Sequence, residues 1–192
     1  MRKSRANTRS TILEAAYRLF RQKGFARVNV DEIAAAAKLT KRTLYENFES
    51  KDKLLEEVLA QQHELAYAAF QTFGKRLLGK PKAIIETYFE ELQHWSATPR
   101  WSGSGFTRLV IELADLPGHP ARKLGRKHKA LLESHLAEVL KAAGASAPRE
   151  RARQIWLLTE GAMVLMLIHG DRDYFRAAAE AAKVLLASDR DA

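Results

Sequence analysis

The chain of 192 residues contains no cysteine, which excludes disulfide bonds, thiolate metal sites and cysteine nucleophiles. It also has little continuous apolar sequence: the longest run, residues 162–168, is seven residues long, whereas a membrane-spanning helix needs about 18 or more. The basic N-terminus lacks the apolar stretch of a secretory signal. Together these absences favour a soluble, cytoplasmic protein that is not exported.

Proline is scarce as well, and its positions mark boundaries between helices. No stretch alternates apolar and polar residues in the manner of a half-buried strand. The apolar periodicity predicts an all-α fold of about nine helices, with a three-helix head followed by a larger C-terminal helical bundle. Each of the five prolines lies between helical stretches or in a first helical turn: Pro81, Pro99, Pro117, Pro120 and Pro148. The later helices are expected at residues 81–97, 102–115, 119–143, 149–169 and 171–188.

The most informative segment, residues 29–48, has the pattern of two short helices joined by a tight turn. Apolar residues in its first half follow i, i+3, i+4, i+7 spacing, so that helix is expected to bury one face. Asn29 and Thr40 can each cap one of the two helices. Leu44 and Phe48 would anchor the second helix inward. The basic first turn of that helix would then face outward, where it could enter a DNA groove.

Positive charge is concentrated in the same part of the chain. Residues 1–53 hold 13 Lys and Arg against six Asp and Glu, and so account for +7 of the net charge of +9. A helix-turn-helix in a basic segment has the electrostatic footprint of a phosphate-binding surface, although basic segments also occur in RNA-binding, membrane-surface and plainly soluble proteins. We predict a DNA-binding domain at residues 1–50 and a larger helical domain at residues 51–192, with a long helix beginning at Lys51.

The first 55 residues resemble the TetR family of bacterial transcriptional regulators. The family pattern is a helix ending in Leu-Phe and Gly-Phe, then Ile-Ala-x-x-Ala, a turn, and Leu-Tyr-x-His-Phe-x-x-Lys. In this chain the four segments begin at Leu19, Gly24, Ile33 and Leu44. Similarity to one branch of the family continues at residues 103–106, 112–120 and 160–162. The resemblance implies a ligand-responsive repressor that binds a palindromic operator as a homodimer and is released by a small apolar or aromatic effector.

Three residues depart from the pattern of the family. Lys38 stands where the family usually has Gly, so it must adopt a left-handed backbone if the turn keeps its geometry. Asn47 replaces the usual His, which preserves a hydrogen-bonding side chain but removes a titrating ring. Ser104 stands where the branch often has Cys.

The predicted DNA-contacting residues lie in and around the second helix of the motif. Arg42 is the favoured base reader, because a guanidinium can contact guanine through two hydrogen bonds, whereas Lys41 acts as a point charge. A solvated basic turn is the alternative for both, and helix capping is the alternative for Thr40. A basic arm at residues 2–5 could reach a neighbouring groove or act only as a solubilising tail. The complete predicted set is Asn29, Thr40, Lys41, Arg42, Thr43, Tyr45, Asn47 and Lys51.

The C-terminal part has the composition expected of an interface between two copies. Residues 155–168 are apolar on nearly every side of a helix, which favours contact with a second chain as well as with the chain's own core. The next helix is rich in alanine, and the family resemblance places a four-helix dimer interface at these last two helices. A monomer core is the alternative. The predicted interface residues are Trp156, Leu157, Gly161, Val164, Leu167, Ile168, Ala178 and Ala182.

Several aromatic, leucine and methionine residues could line a cavity for an apolar or aromatic effector. For each of them the alternative is ordinary core packing. His94 and His169 are potential polar handles near this set, with structural hydrogen bonds as the alternative. The predicted ligand-binding residues are Phe89, Trp95, Trp101, Phe106, Leu109, Met163 and Met166.

The sequence does not predict an enzyme. Gly103-x-Gly105 neither follows a strand nor has the third glycine of a dinucleotide site, and His128 with His135 lacks the companions of a metal site. We therefore expect no catalytic residue, metal or cofactor; the expected partners are double-stranded DNA, a second copy and a small-molecule effector, and no membrane. A DNA-binding regulator without an effector, an α-helical enzyme and a membrane-surface helical protein are the alternatives.

Overall fold

The computed structural model describes residues 5–99 and 101–187. This part of the chain forms nine α-helices and no strand, which confirms the predicted all-α fold. Of the predicted basic arm, residues 2–4 lie outside the described residues and Arg5 begins the first helix. The helices are α1 (Arg5–Lys23), α2 (Val30–Ala36), α3 (Lys41–Asn47), α4 (Lys51–Gly74), α5 (Pro81–Ser96), α6 (Gly105–Glu112), α7 (Pro120–Ala142), α8 (Pro148–His169) and α9 (Asp173–Ala187).

The chain divides into two compact packing units. Unit 1 consists of the residues up to Leu65 together with Gly105–His128, and unit 2 consists of Ala66–Ser104 together with the residues from Lys129 onward. The boundary between the units therefore falls within α4 and α7 rather than at residue 50. The functional division into residues 1–50 and 51–192 stays a prediction, because packing does not show which residues contact DNA or a ligand.

Unit 1 contains two apolar cores. In the first, α1, α2, α3 and the start of α4 pack around fully buried side chains that include Ile12, Ile33 and Leu44. In the second, Phe25 and Phe106 bring the end of α1 against α6 and the first turns of α4 and α7. Burial of each large apolar side chain contributes about 1.5–3 kcal/mol, so these two cores fix the orientation of α3 within unit 1.

Unit 2 is organised around a larger core of α5, α8 and α9 with the adjoining parts of α4 and α7. Its centre includes Tyr88, Phe89 and Phe175, each at most 2% exposed. The one buried hydroxyl pair of this centre is satisfied: Thr159 donates to the carbonyl of Ile155 at 2.9 Å, which leaves the Thr159 oxygen to accept from Tyr88 at 3.2 Å. None of the described helices has the length and apolar character needed to cross a bilayer.

Candidate nucleic-acid interface

The two helices of the predicted motif begin at caps that their own sequence supplies. At α2, Asn29 Oδ1 accepts from the amide of Glu32 at 2.8 Å, and Glu32 Oε2 accepts from the amide of Asn29 at 3.2 Å, so the capping box is complete. At α3, Thr40 Oγ1 accepts from the amide of Thr43 at 3.1 Å. Caps of this kind contribute about 1 kcal/mol each, and they define where both short helices start.

The turn between α2 and α3 is closed by a left-handed residue. Lys38 has φ of 57°, as expected if the turn keeps the geometry for which the family usually has glycine. The turn is closed by the amide of Lys38, which donates to Ala35 O at 3.0 Å, and that of Leu39, which donates to Ala34 O at 2.9 Å. A left-handed backbone costs a residue with a side chain about 1–2 kcal/mol, and the buried faces of the two helices hold Lys38 in it.

The first turn of α3 presents two cations whose ionic partners among the described residues are exposed carboxylates. Lys41 Nζ lies 3.0 Å from Asp31 Oδ2, and this hydrogen bond raises the pKa of Lys41 above its usual value. Arg42 Nε lies 3.0 Å from Glu46 Oε1, and the Arg42 side chain is 88% exposed. Exposed ion pairs contribute about 0–1 kcal/mol. Both cations can therefore exchange a carboxylate for a phosphate or a base edge at little cost.

The remaining predicted contacts on α3 differ in exposure. Tyr45 is 47% exposed, on the same outward side as Arg42. Asn47 is half-buried, and its amide donates to the carbonyl of Thr43 at 2.8 Å. Asn47 Oδ1 is buried without a hydrogen-bond partner among the described residues. Tyr45 is thus available at the surface, whereas one of the two amide N–H groups of Asn47 is already bound to Thr43, and its predicted phosphate contact stays a prediction.

Lys51 is engaged inside unit 1. Its Nζ donates to the carbonyl of Phe25 at 2.7 Å and lies 4.1 Å from the centre of the Phe25 ring. Burial lowers the pKa of Lys51 below its usual value. In this arrangement Lys51 stabilises the bend that follows α1, and its predicted phosphate contact stays a prediction.

Three residues that the sequence analysis did not single out hold the bend after α1 and the end of α3. Glu112 Oε2 accepts from the amides of Phe25 at 2.8 Å and Ala26 at 3.2 Å. Arg108, four residues earlier on α6, donates to the carbonyl of Arg21 at 3.1 Å. Arg9 donates to the carbonyl of Asn47 and pairs with Glu57. No local pattern marks such contacts, because their partners are distant in sequence.

The predicted ligand-binding residues do not form one group. Phe106 and Leu109 lie in the second core of unit 1, whereas Phe89 and Met163 are buried in the core of unit 2, with Trp101 and Met166 packed against it. Trp95 contacts Trp101 edge to face, with 5.4 Å between ring centres. Both predicted polar handles, His94 and His169, are exposed. A cleft of about 450 Å³ in unit 2 is lined by none of these residues but by Ala68, Gln71, Thr72, Gly74, Lys75, His135 and Val139.

Ser104, the third departure from the family pattern, belongs to a polar cluster in unit 2. Its Oγ accepts from Lys129 Nζ at 3.1 Å, and the same ammonium pairs with Glu160 and lies 5.6 Å from the Trp156 ring centre. Burial lowers the pKa of Lys129. The serine hydroxyl is thus a hydrogen-bond acceptor in a site of opposite charges.

The predicted dimer residues on α8 are exposed or half-exposed, whereas those on α9 are buried. Leu157, Leu167 and Ile168 are 69%, 43% and 66% exposed, and Trp156, Gly161 and Val164 are half-exposed. Ala178 and Ala182 are 6% and 0% exposed within the single chain, where they pack in the core of unit 2. The exposed small residues of α9 are instead Ala177 and Ala181, followed by Val184 at 69%. In the single chain Ala178 and Ala182 are thus core residues, and their predicted contact with a second copy stays a prediction.

The described residues form nine helices with a capped helix-turn-helix near the N-terminus, which is the arrangement of DNA-binding proteins of the helix-turn-helix class. Residues 12–58 match the family model described as bacterial regulatory proteins, tetR family. The helix-turn-helix segment of this chain is therefore of the TetR-family type. Because the matching family consists of regulators rather than enzymes, the alternative of an α-helical enzyme is rejected.

The named relatives agree with this assignment. The chain is 46% identical over 78 residues to "Uncharacterized HTH-type transcriptional regulator YvaF" of Bacillus subtilis (38% of this chain, 40% of the relative), and 35% identical over 89 residues to "HTH-type transcriptional regulator TtgR" of Pseudomonas putida (44% and 42%). Each alignment thus spans about two fifths of the relative's length.

Similarity to solved structures extends over nearly the whole chain. SCO4454, a TetR-family regulator from Streptomyces coelicolor, matches with a TM-score of 0.82 at 23% identity over 95% of both chains. The putative TetR regulator sav143 from Streptomyces avermitilis matches with a TM-score of 0.75 at 28% identity, over 91% of this chain and 97% of that one. The fold of the C-terminal helices is therefore also that of the family.

Proposed function

We propose that this regulator is a cytoplasmic repressor that binds a palindromic operator as a homodimer through α3 and is released by a small apolar or aromatic effector. The observation that carries the proposal is the outward first turn of α3, where Lys41 and Arg42 are exposed and form surface ion pairs. In helix-turn-helix proteins the start of the second helix faces base edges while flanking groups contact the backbone.

Replacement of Arg42 by alanine is expected to relax sequence preference. A guanidinium that contacts guanine through two hydrogen bonds contributes about 1–3 kcal/mol of discrimination against the wrong base, so single-base variants of the preferred duplex should become nearly equal at one position. The measurement is the affinity for duplexes selected from a random pool by the wild-type protein and for their single-base variants. Arg153→Ala is the matched control, because Arg153 is also exposed and pairs through Nε with a glutamate, at 3.1 Å. Equal, negligible effects of the two substitutions would contradict the proposed docking of α3.

The homodimer is supported by an apolar stripe on α8. The exposed and half-exposed residues Leu157, Gly161, Val164, Leu165 and Ile168 follow helical spacing along one side of the helix. On α9, Ala177, Ala181 and Val184 do the same. Such contiguous apolar faces mark protein interaction sites in monomers. A two-fold pair of chains would place two copies of α3 on half-sites roughly 34–36 Å apart.

The effector part of the proposal is supported by the aromatic residues at the edge of the unit 2 core. Trp101 Nε1 is buried without a hydrogen-bond partner among the described residues, although buried donors are nearly always paired. Trp95 beside it is 38% exposed, and Met166 is an adaptable neighbour of the same core. An aromatic compound with a hydrogen-bond acceptor would fit this edge. To lower operator affinity 100-fold it must favour the non-binding conformation by about 2.7 kcal/mol.

Loss of the Trp101 N–H is expected to weaken effector binding about two- to tenfold, which is the contribution of one hydrogen bond. Trp101→Phe keeps an aromatic ring and removes the donor. Binding of a panel of phenols and aromatic acids would be measured by tryptophan fluorescence and by release of the selected duplex, with Trp156→Phe as the control. If no compound in the panel changes the fluorescence or the duplex affinity of the wild-type protein, the alternative of a regulator without an effector is favoured.

A further inference from the structure

The first part of α7 carries cations without acidic neighbours. Residues 120–132 contain five Lys and Arg and no Asp or Glu. Two of the five are held by partners within the chain. The other three, Lys123, Arg126 and Lys127, are exposed and have no hydrogen bond or ion pair to any described residue. Their spacing of three and four places them on one face of the helix. We call these three residues the α7 basic stripe.

The contacts of α7 with α4 show where the stripe lies within unit 1. His119, just before α7, has Nε2 3.7 Å from Asp52 Oδ2 at the start of α4. Farther along, His128 Nδ1 lies 2.9 Å from His63 Nδ1, and between these two contacts the helices share an apolar core. The residue numbers of the contacting pairs increase together along both helices. Helices α7 and α4 therefore lie side by side, run in the same direction and begin at the same end of unit 1.

The N-terminal end of α4 is the end that follows α3 in the chain. The His119 ring also lies 6.2 Å from the ring of Phe25, whose carbonyl binds Lys51. At 1.5 Å per residue, the stripe lies about 6–12 Å along the helix from His119. The stripe therefore lies one to two helical turns from the end of unit 1 at which α3 leads into α4.

We propose that the α7 basic stripe is a second phosphate-binding surface that neutralises the DNA backbone flanking the operator. This inference rests on the proposed function. Lys and Arg contacts to phosphate carry no sequence information, so the stripe adds affinity and salt dependence but no base preference. Duplex DNA is favoured over an anionic membrane, since the only other exposed residues of 120–132 are Pro120 and Ala130, and neither is a bulky apolar side chain of the kind that inserts into lipid.

The test is the salt dependence of duplex binding by a charge-neutralised protein. The variant is Lys123→Gln, Arg126→Gln, Lys127→Gln, and the matched control is Lys82→Gln, Lys141→Gln, Arg149→Gln, three exposed cations of unit 2. The probe is a duplex selected by the wild-type protein, used with and without mixed-sequence flanks. Each neutralised phosphate contributes about 0.9 to the slope of log affinity against log salt. We expect the slope for the flanked duplex to fall by about 2–3, with affinity about tenfold lower or more at low salt.

The outcomes separate this inference from the function on which it rests. Equal slopes for the stripe variant and the control, with sequence preference intact in the wild-type protein, would overturn the inference alone. A wild-type protein with no preference among duplexes would overturn the proposed function and the inference together. Unchanged DNA binding with lost binding to phosphatidylserine vesicles would assign the stripe to membranes. Because a triple variant can fold poorly, Lys127→Gln alone, with an expected slope change of about 0.9, repeats the measurement.

Discussion

Replacement of Gly24 by alanine is expected to lower the free energy of unfolding by about 2–4 kcal/mol. Gly24 ends α1 with φ of +87°, and a Cβ built on it would lie 2.6 Å from Glu112 Oε1. The left-handed backbone costs alanine about 1–2 kcal/mol. The carboxylate must also shift relative to the part-buried amide of Phe25 and the exposed amide of Ala26, and the weakening of these two hydrogen bonds adds about 1–2 kcal/mol.

A second glycine separates these two effects. Gly79 has φ of +105°, but a Cβ there would meet no atom within 4 Å, so Gly79→Ala should show the backbone cost alone. Urea unfolding followed by circular dichroism measures both variants, and the difference between them is the cost of displacing Glu112. Combining Gly24→Ala with Glu112→Ala should remove the clash and lose less than the sum of the two single changes. Equal losses for the two glycines would show that the Glu112 contact contributes nothing.

The contrast between Gly24 and the helix-turn-helix shows which parts of unit 1 could be predicted from the sequence. The caps at Asn29 and Thr40 and the left-handed Lys38 depend on residues within a few positions of one another. Local hydrogen bonds and helical spacing leave local patterns in the sequence. The bond between Glu112 and the amide of Phe25 spans 87 residues. Such a contact depends on tertiary packing, and a single sequence carries no pattern that marks it.

Helix boundaries were predicted well where a cap or a proline marks them and poorly elsewhere. Pro81 and Pro148 begin α5 and α8, within one residue of the expected starts. Helix α6 was expected over residues 102–115 but extends only from Gly105 to Glu112. The turn at Gly103, with φ of +75°, delays its start. Arg108 and Glu112, both on this short helix, bind backbone groups at the end of α1 and in the bend that follows it.

The sequence predicted which helices carry the candidate surfaces of unit 2, but it did not predict which side of each helix is exposed. Alanine occupies five of the six positions from 177 to 182 in α9, so the apolar pattern there does not show which side faces the core. Packing places Ala178 and Ala182 inward and leaves Ala177 and Ala181 exposed. Likewise, Phe106 and Leu109 are large apolar residues of the same kind as Phe89 and Met163. Yet Phe106 and Leu109 belong to the core of unit 1, whereas Phe89 and Met163 belong to the core of unit 2. Composition gives the class of a buried residue and does not give its partners.

Introducing charge on the apolar stripe of α8 is expected to convert the regulator to a folded monomer. In a two-fold interface each residue occurs twice, so Leu157→Glu with Ile168→Glu would place four carboxylates in the contact. Burying an unpaired charge costs several kcal/mol. The two side chains are 69% and 66% exposed in the single chain, so the fold of the chain itself should be preserved. Light scattering or sedimentation would measure the mass, and thermal unfolding would verify the fold.

The same variant is expected to bind its operator at least about 100-fold more weakly, a loss of about 2.7 kcal/mol. A monomer can place only one copy of α3 on a half-site, so it loses the contribution of the second half-site, whereas its affinity for an isolated half-site should stay unchanged. The control is Leu65→Glu with Leu78→Glu, because these leucines are 60% and 77% exposed and lie outside α8 and α9. If the α8 variant stays as dimeric as this control, the stripe is not the interface. If it becomes monomeric yet keeps full operator affinity, the two reading helices do not act as a pair.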